Sequence, residues 1–491
     1  MTGRIDDDDK PREACGVFGV YSPGQSVAHL TFDGLYALQH RGQESAGMAV
    51  SDGDMITVVK DMGLVTSVFN DYNLAALPGH LAIGHTRYST TGSSTYRNAQ
   101  PVHRSAGDAD EPTTFALAHN GNLSNTADLA AEAGMLPGAV ASDSELVAEL
   151  IARAFPSGGS SDGRELERAL ATVLPTLQGA FSFVLIDEAR LVGIRDPNGF
   201  RPLCLGKLEP KGWVLASETP ALDVVGAHFV REIEPGEMVI IDAQGVRSVR
   251  VFGEDRIDPR LCIFEFVYFA RPDSRLYGRE VHGARSRMGE ALADQAPVEA
   301  DMVMGVPETA LPAAEGFARR SGIPYGQGLI KNRYTGRTFI NPVQSQRAAG
   351  VRRKLNPLRE NVAGKRLVVV DDSIVRGTTS RALVRMLREA GATEIHFRVM
   401  SPPYRWPCFY GMDTGDRNEL LAADMSVVEI QDYLGVDSLA YLTIDNLRSA
   451  IGTPGAGFCN ACLTGEYPVD VPVSLHKSVL EGNDLPAPDR V

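Results

Sequence analysis

The sequence predicts two successive domains of different fold class, an α+β domain followed by an α/β domain. Between residues 15 and 243, short apolar runs of strand length alternate irregularly with helical patterns, which is typical of a mixed, layered α+β domain. From residue 301 onwards a strand pattern followed by a helix pattern recurs, which indicates a parallel sheet. A polar stretch at 244–260 separates the two patterns, and 491 residues suffice for about three domains or two large ones.

The first domain is predicted from five runs rich in apolar and β-branched residues. Strands are expected at residues 17–20, 81–84, 115–118, 180–186 and 238–241. A helical pattern at residues 144–155 lies between them and predicts a helix. We therefore place this domain at residues 15–245, behind a charged leader at residues 1–14.

The second domain shows the alternation of strand and helix most clearly. Strands are expected at residues 301–306, 367–370 and 394–400, and helices at 310–320 and 381–390. We place this domain at residues 261–445 and a C-terminal segment at 446–491. The end of that segment, 471–491, contains prolines and little periodicity.

The composition restricts the classes of function. A formal net charge of −14 argues against nucleic acid or an anionic membrane surface as a partner. No apolar run approaches the ~20 residues of a membrane span, and the acidic N-terminus lacks the apolar region of a secretory signal. We therefore expect a cytoplasmic protein. Residues 6–10 match an enterokinase cleavage site and are equally compatible with a native leader.

The most informative segment joins a buried strand to a helix start through two acids and a loop of small residues. After the apolar residues 367–370 follow Asp371, Asp372, Ser373, Arg376, Gly377, Thr378 and Thr379. The small residues let the backbone approach a phosphate at the N-terminus of a helix, which Ser380 is expected to cap. Adjacent carboxylates suit ribose hydroxyls or a magnesium shell. The segment therefore predicts a site for a sugar phosphate.

Cys15 stands at the head of the first predicted strand and follows fourteen strongly polar residues. Removal of those residues would leave Cys15 at the N-terminus. Its α-amine, with a reference pKa of about 8, could then act as the general base for its own thiol. Taken alone, a cysteine that opens a strand is more often a small buried hydrophobe, so the catalytic interpretation depends on its companions.

A basic segment at residues 331–354 carries seven Lys or Arg residues and no acid, in a chain that is acidic overall. Such a segment is either a solvated loop or, as we expect here, a binding site for a polyanion.

Four cysteines form a second candidate site, namely Cys262, Cys408, Cys459 and Cys462, of which the last two make a C-x-x-C pair. Disulfides are disfavoured in the cytoplasm. On chemistry alone, a site of four thiolates serves zinc as well as an iron–sulfur cluster.

The acidic segment, residues 369–380, resembles the phosphoribosyl pyrophosphate loop of type I phosphoribosyltransferases, in the form found in amidophosphoribosyltransferases. Residues 331–338 resemble the loop with which these enzymes close over the diphosphate. The resemblance implies an α/β phosphoribosyltransferase domain that binds phosphoribosyl pyrophosphate through Asp371, Asp372, Ser373, Arg376, Gly377, Thr378, Thr379, Lys331 and Arg333. It places Mg²⁺ near Thr309, Asp371 and Asp372. Many relatives have Asp-Ser where this chain has Glu308 and Thr309, and the hydroxyl is kept.

The N-terminal half resembles class II glutamine amidotransferases. The resemblance is carried by Cys15 and by the motifs at residues 38–42, 84–90, 118–122 and 142–145. It implies a glutaminase domain of the αββα N-terminal-nucleophile hydrolase fold with Cys15 as the nucleophile. Arg87 would bind the glutamine α-carboxylate and Asp143 the α-ammonium. The Asn120 side chain and the Gly121 N–H would form the oxyanion hole.

Nearly the whole chain resembles the amidophosphoribosyltransferases, and the four cysteines match the branch that carries a [4Fe–4S] cluster and a removable propeptide. The resemblance implies that glutamine releases ammonia at Cys15. The ammonia would pass internally to the second site and displace pyrophosphate, at the entry to purine (IMP) synthesis. Feedback inhibition by purine nucleotides and a homotetramer are implied in the same way.

Two alternatives are weighed against this function. Another class II amidotransferase would carry a sugar isomerase domain without the acidic loop at 371–372. A regulator that binds phosphoribosyl pyrophosphate without catalysis would not need Cys15, Arg87, Asn120 and Asp143 together, and the sequence shows no basic helix-turn-helix module.

Overall fold

The computed structural model describes residues 15–88, 92–107, 112–136, 138–156, 163–332, 354–412, 414, 416–453, 457–471 and 480. The leader at 1–14, Arg333 with most of the basic segment, and most of the tail lie outside the described residues. Within the described residues the chain forms an α+β domain and then an α/β domain, so the predicted fold class is confirmed.

The first sheet of the N-terminal domain consists, in the described part of the chain, of β1 (Gly16–Tyr21), β2 (Ser45–Ser51), β3 (Ile56–Met62), β4 (Leu81–Arg87), β9 (Cys204–Leu208), β10 (Gly212–Ala216) and β11 (His228–Glu232). Their spatial order is β11-β9-β10-β1-β4-β2-β3, and neighbouring strands are antiparallel. The register pairs Gly16 with Thr86. Cys15, just before β1, therefore lies beside the end of β4, where Arg87 is located.

The second sheet consists, as far as the chain is described, of β5 (Val102–Gly107), β6 (Pro112–Leu123), β7 (Gly179–Ile186), β8 (Leu191–Arg195), β12 (Glu237–Asp242) and β13 (Gly245–Arg250). Their order is β13-β12-β8-β7-β6-β5, again antiparallel. The predicted boundary at 245 falls at the start of β13, so this domain extends further than expected. As an edge strand that is nowhere fully buried, β13 has the polar composition of a linker.

Helices cover the outer faces of both sheets. They are α1 (Val27–Ala37), α2 (Val65–Val68), α3 (Asp71–Ala75), α4 (Thr126–Glu132), α5 (Asp143–Arg153), α6 (Glu165–Val173) and α7 (Thr219–Val224). Helix α1 packs on β1 and β4, and α5 packs on β5 and β6. Between the sheets, Val17 and Ile83 of one sheet meet Ala118 and Val184 of the other in a single core. These layers are the predicted αββα arrangement.

The C-terminal domain is built on a parallel sheet. Among the described residues its strands, in spatial order, are β17 (Met302–Gly305), β20 (Arg366–Asp371), β21 (Glu394–Val399) and β22 (Ser438–Tyr441). The helices are α8 (Val281–Gln295), α9 (Leu311–Ser321), α10 (Arg359–Val362), α11 (Thr378–Glu389), α12 (Leu421–Asp424), α13 (Val427–Leu434), α14 (Ile444–Ile451) and α15 (Ala461–Thr464). None of the described helices is long and apolar enough to cross a membrane.

Each face of this sheet has its own core. Val368 and Val370 pack with α8, α9 and α14 on one face, while Val369 packs with α11 and α13 on the other. The continuous apolar run that predicted β20 is explained by this double burial. Because α14 packs on α8, the predicted boundary at 445 falls inside a helix of this domain.

Short strand pairs and irregular helices complete the described structure. The pairs are β14 (Leu261–Cys262) with β23 (Phe458–Cys459), β15 (Arg275–Leu276) with β16 (Arg279–Glu280), and β18 (Leu329–Lys331) with β19 (Leu355–Pro357). A π-helix spans Glu265–Phe269, and 3₁₀ turns lie at Gln39–Arg41, Tyr96–Asn98, Leu174–Thr176, Glu254–Arg256 and Arg417–Glu419.

Candidate active sites

A cavity lies where the ends of β1, β4 and β6 meet the start of α5. It is lined by Cys15, Arg87, Tyr88, Gln100, His119, Gly121, Ser142, Asp143 and Ser144. The sequence-predicted residues Cys15, Arg87, Gly121 and Asp143 thus line one cavity, with Asn120 next to it in β6.

The Cys15 thiol is almost completely buried. Its Sγ donates to the Tyr88 carbonyl at 3.2 Å, and the Tyr88 N–H donates back to Sγ at 3.4 Å. Burial raises the pKa of Cys15 to about 11, although the Tyr88 hydrogen bond and the Arg87 charge oppose the rise. Little thiolate exists at neutral pH under these conditions, so a nucleophilic Cys15 requires a base close to its sulfur.

Arg87, the last residue of β4, is held by groups of the protein. Its Nη1 donates to the Ser93 carbonyl at 3.2 Å and its Nη2 to the Gly92 carbonyl at 3.4 Å, while the Glu44 carboxylate lies 3.9 Å away. The guanidinium is only 3% exposed. Its planar fork is therefore fixed beside Cys15, in a position suited to a carboxylate.

Asp143 is the first residue of α5. Its carboxylate accepts from the Ser144 N–H at 2.8 Å and from the Leu123 N–H at 3.4 Å, and His119 Nδ1 lies 3.5 Å from Oδ2. Burial alone would raise the pKa of Asp143, but the His119 charge and these hydrogen bonds lower it overall. The carboxylate therefore stays ionised and can attract an ammonium group.

Asn120 and Gly121 lie in β6 opposite Ser182 and Phe181 of β7. The Asn120 side chain is fully buried, and within the described residues neither its oxygen nor its nitrogen has a hydrogen-bond partner. Gly121 has φ of +149°, and a Cβ there would lie 2.1 Å from the Ala180 carbonyl oxygen. An unpaired buried amide is costly, so its retention is consistent with a polar partner supplied by the substrate.

Gln100 also belongs to the cavity but was not predicted from the sequence. Its Oε1 accepts from the His119 N–H at 2.7 Å, and its Nε2 donates to Ser144 Oγ at 2.9 Å. Gln100 thereby ties β6 to α5. It lies in a loop with no recognisable local pattern, and only the pairing of β5 with β6 brings it into the site.

The second site lies at the carboxyl ends of β17 and β20, which pair in parallel with Gly305 opposite Val370. The turn that carries Thr309 therefore meets Asp371 and Asp372 at one edge of the sheet. Both acids are buried, and Ser373 Oγ donates to Asp372 Oδ1 at 2.7 Å. The predicted sugar and magnesium residues thus follow neighbouring strands at the same edge of the sheet.

Helix α11 begins at Thr378, earlier than predicted. Gly377 is its N-cap with φ of +75°, and Ser380, the predicted cap, is buried inside the first turn. The prediction of Ser380 as the cap is wrong because Gly377 adopts the left-handed conformation and starts the helix sooner. The positive end of the helix dipole therefore lies closer to the acidic loop.

The described basic residues of this site are paired with acids. Arg376 Nε lies 3.1 Å from Glu419 Oε2, and Lys331 Nζ lies 3.4 Å from Glu308 Oε2. These pairs are partly or largely exposed. Arg333, also predicted to bind phosphate, lies outside the described residues.

The four predicted ligand cysteines come from three separate segments that meet in one place. Cys262 and Cys459 are opposite each other in the β14–β23 pair, and the N–H groups of Arg405 and Trp406, just before Cys408, donate to the Cys462 carbonyl at 3.0 Å. Burial raises the pKa of all four thiols, that of Cys262 to about 12. Within the described residues, no three His, Cys, Asp or Glu side chains are arranged to hold a metal ion.

Comparison with known proteins relates the two sites to two families. Residues 85–224 match the glutamine amidotransferase domain family and residues 282–401 the phosphoribosyl transferase domain family. The amidophosphoribosyltransferase of Mycobacterium bovis is 52% identical over 497 residues, which cover 98% of this chain and 92% of that protein.

Two solved structures share the complete architecture. That of the allosteric regulatory enzyme of purine biosynthesis has a TM-score of 0.86 and 45% identity, over 95% of this chain and 98% of its own. That of the B. subtilis glutamine phosphoribosylpyrophosphate amidotransferase, complexed with ADP and GMP, has a TM-score of 0.85 and 45% identity, over 95% of this chain and 100% of its own.

Proposed function

The chain belongs to the amidophosphoribosyltransferases, and from this premise we propose which residues carry out each half of the reaction. The enzyme converts phosphoribosyl pyrophosphate, glutamine and water to 5-phosphoribosylamine, glutamate and pyrophosphate, at the first step of de novo purine biosynthesis. The assignment of residues is supported chiefly by one observation. A single chain builds a cavity around Cys15 and a second, acidic site at the edge of a parallel sheet.

In the glutaminase half, Cys15 is the nucleophile. After removal of residues 1–14, its α-amine takes the thiol proton and Sγ attacks the side-chain carbonyl carbon of glutamine. Asn120 Nδ2 and the Gly121 N–H donate to the resulting oxyanion. The carbon–nitrogen bond then breaks, ammonia leaves with the proton, and water hydrolyses the thioester to glutamate. Burial raises the pKa of the thiol, and a base next to Sγ therefore favours its attack.

Arg87 and Asp143 bind the two charges of free glutamine. The fixed guanidinium of Arg87 takes the α-carboxylate, and the ionised Asp143 takes the α-ammonium. With both ends held, the side-chain amide is directed towards Cys15.

In the transferase half, ammonia attacks C1 of the ribose and the bond from C1 to the pyrophosphate oxygen breaks. Asp371 and Asp372 hold the ribose hydroxyls and oppose the positive charge that develops at C1. The loop of Ser373, Arg376 and Gly377, together with Thr378 and Thr379 in the first turn of α11, binds the 5-phosphate, and Lys331 and Arg333 bind the diphosphate. Thr309, Asp371 and Asp372 would hold Mg²⁺, which would supply positive charge to offset that of the leaving pyrophosphate.

We assign a [4Fe–4S] cluster to Cys262, Cys408, Cys459 and Cys462. The four thiols lie near one another, since burial and, after it, neighbouring ligand cysteines contribute to the raised pKa of Cys262, Cys459 and Cys462. Four thiolates suit zinc as well as an iron–sulfur cluster, and the family resemblance favours the cluster. Its role would be to tie β14 to β23. Iron and acid-labile sulfide in anaerobically purified protein, with a visible absorbance lost in Cys408→Ser, would support this; stoichiometric zinc would contradict it.

Regulation, assembly and location form a second group of proposals. The solved structure of the B. subtilis relative is complexed with ADP and GMP, which supports purine nucleotides as feedback inhibitors of this chain. A homotetramer and a cytoplasmic location follow from the family resemblance alone. Inhibition by AMP, ADP and GMP, mass by light scattering, and cell fractionation test the three points separately.

The alternatives considered from the sequence are set aside. The match of residues 282–401 to phosphoribosyl transferase domains leaves no room there for a sugar isomerase domain. Membership of an enzyme family, with near full-length relatives, argues against a regulator without catalysis.

The two-site function is tested by product release from anaerobically purified protein whose N-terminus is checked by intact mass. Glutamine, phosphoribosyl pyrophosphate and magnesium are omitted in turn. We expect glutamate and pyrophosphate in equal amounts with the full mixture and with Cys15 as the first residue. Glutamate without pyrophosphate, or neither product from processed protein, would overturn the assignment.

A further inference from the structure

We propose that Gln100 is a positioning residue for glutamine, because its amide orients the Asp143 carboxylate that receives the α-ammonium group. It acts through the two neighbours of that carboxylate, Ser144 and His119. The inference deepens the glutaminase half of the function proposed above and rests on it. Gln100 takes no part in making or breaking bonds, so we expect it to set the affinity for glutamine more than the chemistry at Cys15.

The backbone that carries Gln100 is fixed from two sides. Lys60 Nζ of β3 donates to the carbonyl before it, that of Ala99, at 2.5 Å and to the carbonyl after it, that of Pro101, at 3.3 Å. A Cβ at Gly47 of β2 would collide with the Gln100 carbonyl oxygen, so β2 packs directly against this segment. The Gln100 side chain is itself buried. Its amide therefore starts from a fixed backbone and stays out of solvent.

The two ends of the Gln100 amide can be told apart by their partners. The His119 backbone N–H, which can only donate, donates to one end at 2.7 Å, so this end is the oxygen Oε1. The other end is then the NH₂ group, which donates to Ser144 Oγ at 2.9 Å. Because Ser144 accepts this hydrogen bond, its single hydroxyl proton is left for a different acceptor.

Both neighbours that Gln100 holds lie next to the Asp143 carboxylate. Ser144 Oγ is 3.4 Å from Oδ1, and its hydroxyl can donate there or to His119 Nδ1, which is 3.2 Å away. The same Nδ1 atom lies 3.5 Å from Asp143 Oδ2. The far side of the His119 ring is also held, since Nε2 donates to the Ala180 carbonyl at 3.3 Å. One amide therefore supports the groups beside both carboxylate oxygens.

Backbone N–H groups alone hold the Asp143 carboxylate unevenly. Oδ1 accepts from the Ser144 N–H at 2.8 Å, whereas Oδ2 accepts from the Leu123 N–H at 3.4 Å, which is long for a hydrogen bond. The direction of Oδ2 therefore depends on the His119 ring, and on the strand position that Gln100 fixes through the His119 N–H. A carboxylate that turns away binds an ammonium group poorly even while it stays ionised, because charge-assisted hydrogen bonds are short and directional.

The network lies beside the nucleophile without bonding to it. Gln100, His119 and Ser144 line the same cavity as Cys15. Among the described residues, the hydrogen bonds of the Gln100 amide go to Ser144 and His119. Loss of this amide should therefore disturb the site for the α-ammonium group and leave the thiol as it is. Because His119 directly precedes Asn120, a smaller loss of kcat is expected as well.

The experiment measures glutamate release by processed full-length enzyme at saturating phosphoribosyl pyrophosphate and Mg²⁺, over a range of glutamine concentrations. Gln100→Met keeps the length of the side chain and removes its donor and its acceptor. We expect KM for glutamine to rise ~10-fold and kcat to fall by less than ~3-fold, below the ~100-fold that a misplacement of 1 Å can cost. Alkylation of Cys15 by iodoacetamide, followed by mass of the N-terminal peptide, should keep its wild-type rate, because this neutral reagent has no α-ammonium group.

Two further variants separate the two ends of the amide. Ser144→Ala removes the hydroxyl that accepts from Gln100 and keeps the Ser144 N–H that donates to Asp143. KM should rise, and the double variant with Gln100→Met should raise it no further than the stronger single variant, because the two side chains act as one unit. Gln100→Glu keeps an acceptor for the His119 N–H but has no donor for Ser144. Its KM should rise while kcat stays near that of the wild type.

Asn125→Leu is the matched control. Asn125 is a buried amide of the same domain that also joins two segments. Its Nδ2 donates to the Thr176 carbonyl at 2.9 Å, and its Oδ1 accepts from the Gln178 N–H at 3.1 Å. It does not line the cavity. Its variant should melt at a lower temperature than the wild type and keep the wild-type KM for glutamine.

The outcomes separate this inference from the proposed function. Wild-type protein that forms neither product overturns the function. With an active wild type, a folded Gln100→Met or Gln100→Glu enzyme with an unchanged KM overturns the inference, and an unchanged KM in Ser144→Ala does so even where neither Gln100 variant folds. An equal rise of KM in Asn125→Leu, or alkylation of Cys15 that slows as much as kcat/KM falls, overturns it too. Additive effects of Gln100→Met and Ser144→Ala overturn the route through Ser144.

Discussion

In the glutaminase cavity the described groups that would meet glutamine are fixed by the protein, whereas at the phosphoribosyl pyrophosphate site the described cations are held by acids that the ligand must replace. Arg87 is anchored on two backbone carbonyls, and Asn120 is buried with its amide unpaired among the described residues. Arg376 and Lys331 are instead paired with Glu419 and Glu308.

The difference reflects the two ligands. Glutamine is small and zwitterionic, so a rigid cavity can present one partner to each charge and avoid the entropy of ordering side chains. Phosphoribosyl pyrophosphate carries many negative charges, and its site needs to exclude water only after this ligand has bound. Exposed ion pairs are worth only about 0–1 kcal/mol each, so their exchange for phosphate is easy.

The largest effect is expected when the nucleophile Cys15 is removed, because glutamine hydrolysis should be lost while the reaction at the second site continues. Cys15→Ala should lower glutamine-dependent glutamate release by ~10⁴-fold or more, because the nucleophile is lost. Pyrophosphate release with added ammonium should stay close to that of the wild type. Cys204→Ala is the control, since Cys204 is buried in β9 and only donates to the Ala216 carbonyl. An equal fall in the ammonium reaction would show that the sites are not separable.

The next prediction concerns Asn120, a buried side chain that the protein fixes beside the glutaminase cavity. Asn120→Ala should lower kcat for glutamate release by ~10²- to 10³-fold, as loss of an oxyanion-hole donor does elsewhere. Thermal stability should not fall in proportion, because the change removes a buried amide without a described partner. Thermal melting and steady-state kinetics check both parts.

Asn122→Ala is the control with the opposite profile. Its Nδ2 donates to the Phe409 carbonyl of the second domain at 2.9 Å. We expect lower stability with kcat reduced only a few-fold. If Asn120→Ala were the less stable of the two and fully active, the oxyanion assignment would be wrong.

A pH experiment tests how completely the glutaminase domain shields His85 from water. Burial lowers the pKa of His85 to about 3, while in the unfolded chain it is about 6.5. Below pH 6.5 only the unfolded state takes up the proton, so stability is lost as the pH falls from 6.5 towards 3. At pH 5.5 the loss is about 1.4 kcal/mol. The melting temperature of His85→Gln should therefore fall less than that of the wild type between pH 7.5 and 5.5.

His396 provides the contrast in the second domain. Burial lowers the pKa of His396 overall, although the Glu394 carboxylate, 3.1 Å from Nε2, opposes this shift. His396→Gln should consequently keep more of the wild-type pH dependence than His85→Gln does. The same pH dependence of the melting temperature in both variants would show that the two domains do not differ in how strongly they bury these histidines.

The smallest effect is expected at Arg376, whose ion pair with Glu419 the ligand phosphate must replace. Glu419→Gln releases Arg376 from its ion pair and should lower KM for phosphoribosyl pyrophosphate by ~2- to 5-fold, the worth of an exposed pair. KM for glutamine should not change. Glu389→Gln removes another exposed pair, with Arg385 on α11, and serves as the control. A higher KM in Glu419→Gln would mean that Glu419 positions Arg376 rather than competing for it.

The parts of the fold that the sequence predicted are those in which local pattern and burial agree. The run at 367–370 is apolar because β20 is covered on both faces, and the pattern at 144–155 matches α5 because that helix has one buried side. The end of the first domain was misplaced because β13 is a polar edge strand, which has no local mark that distinguishes it from a linker.

The candidate sites show the same limit. Cys15, Arg87 and Asp143 could be predicted because each stands at the end of a strand or the start of a helix within a motif. Gln100 could not, because it reaches the cavity through pairing of distant strands. Arg41 and Glu265 are unremarkable charges in the sequence, and only the contact between domains turns them into a buried pair.

The short ladder between β14 and β23 can form only late in synthesis of the protein, because its two strands are far apart in the chain. Leu261 and Cys262 leave the ribosome long before their partners Phe458 and Cys459, which are about 200 residues further on. At 5–20 residues per second, the wait is roughly 10–40 s. Until then the nascent glutaminase domain exposes the surface around Phe200, which later stacks on Tyr410 at 4.5 Å. A ribosome that stops before Phe458 thus leaves a chain in which Leu261 and Cys262 have no partner strand.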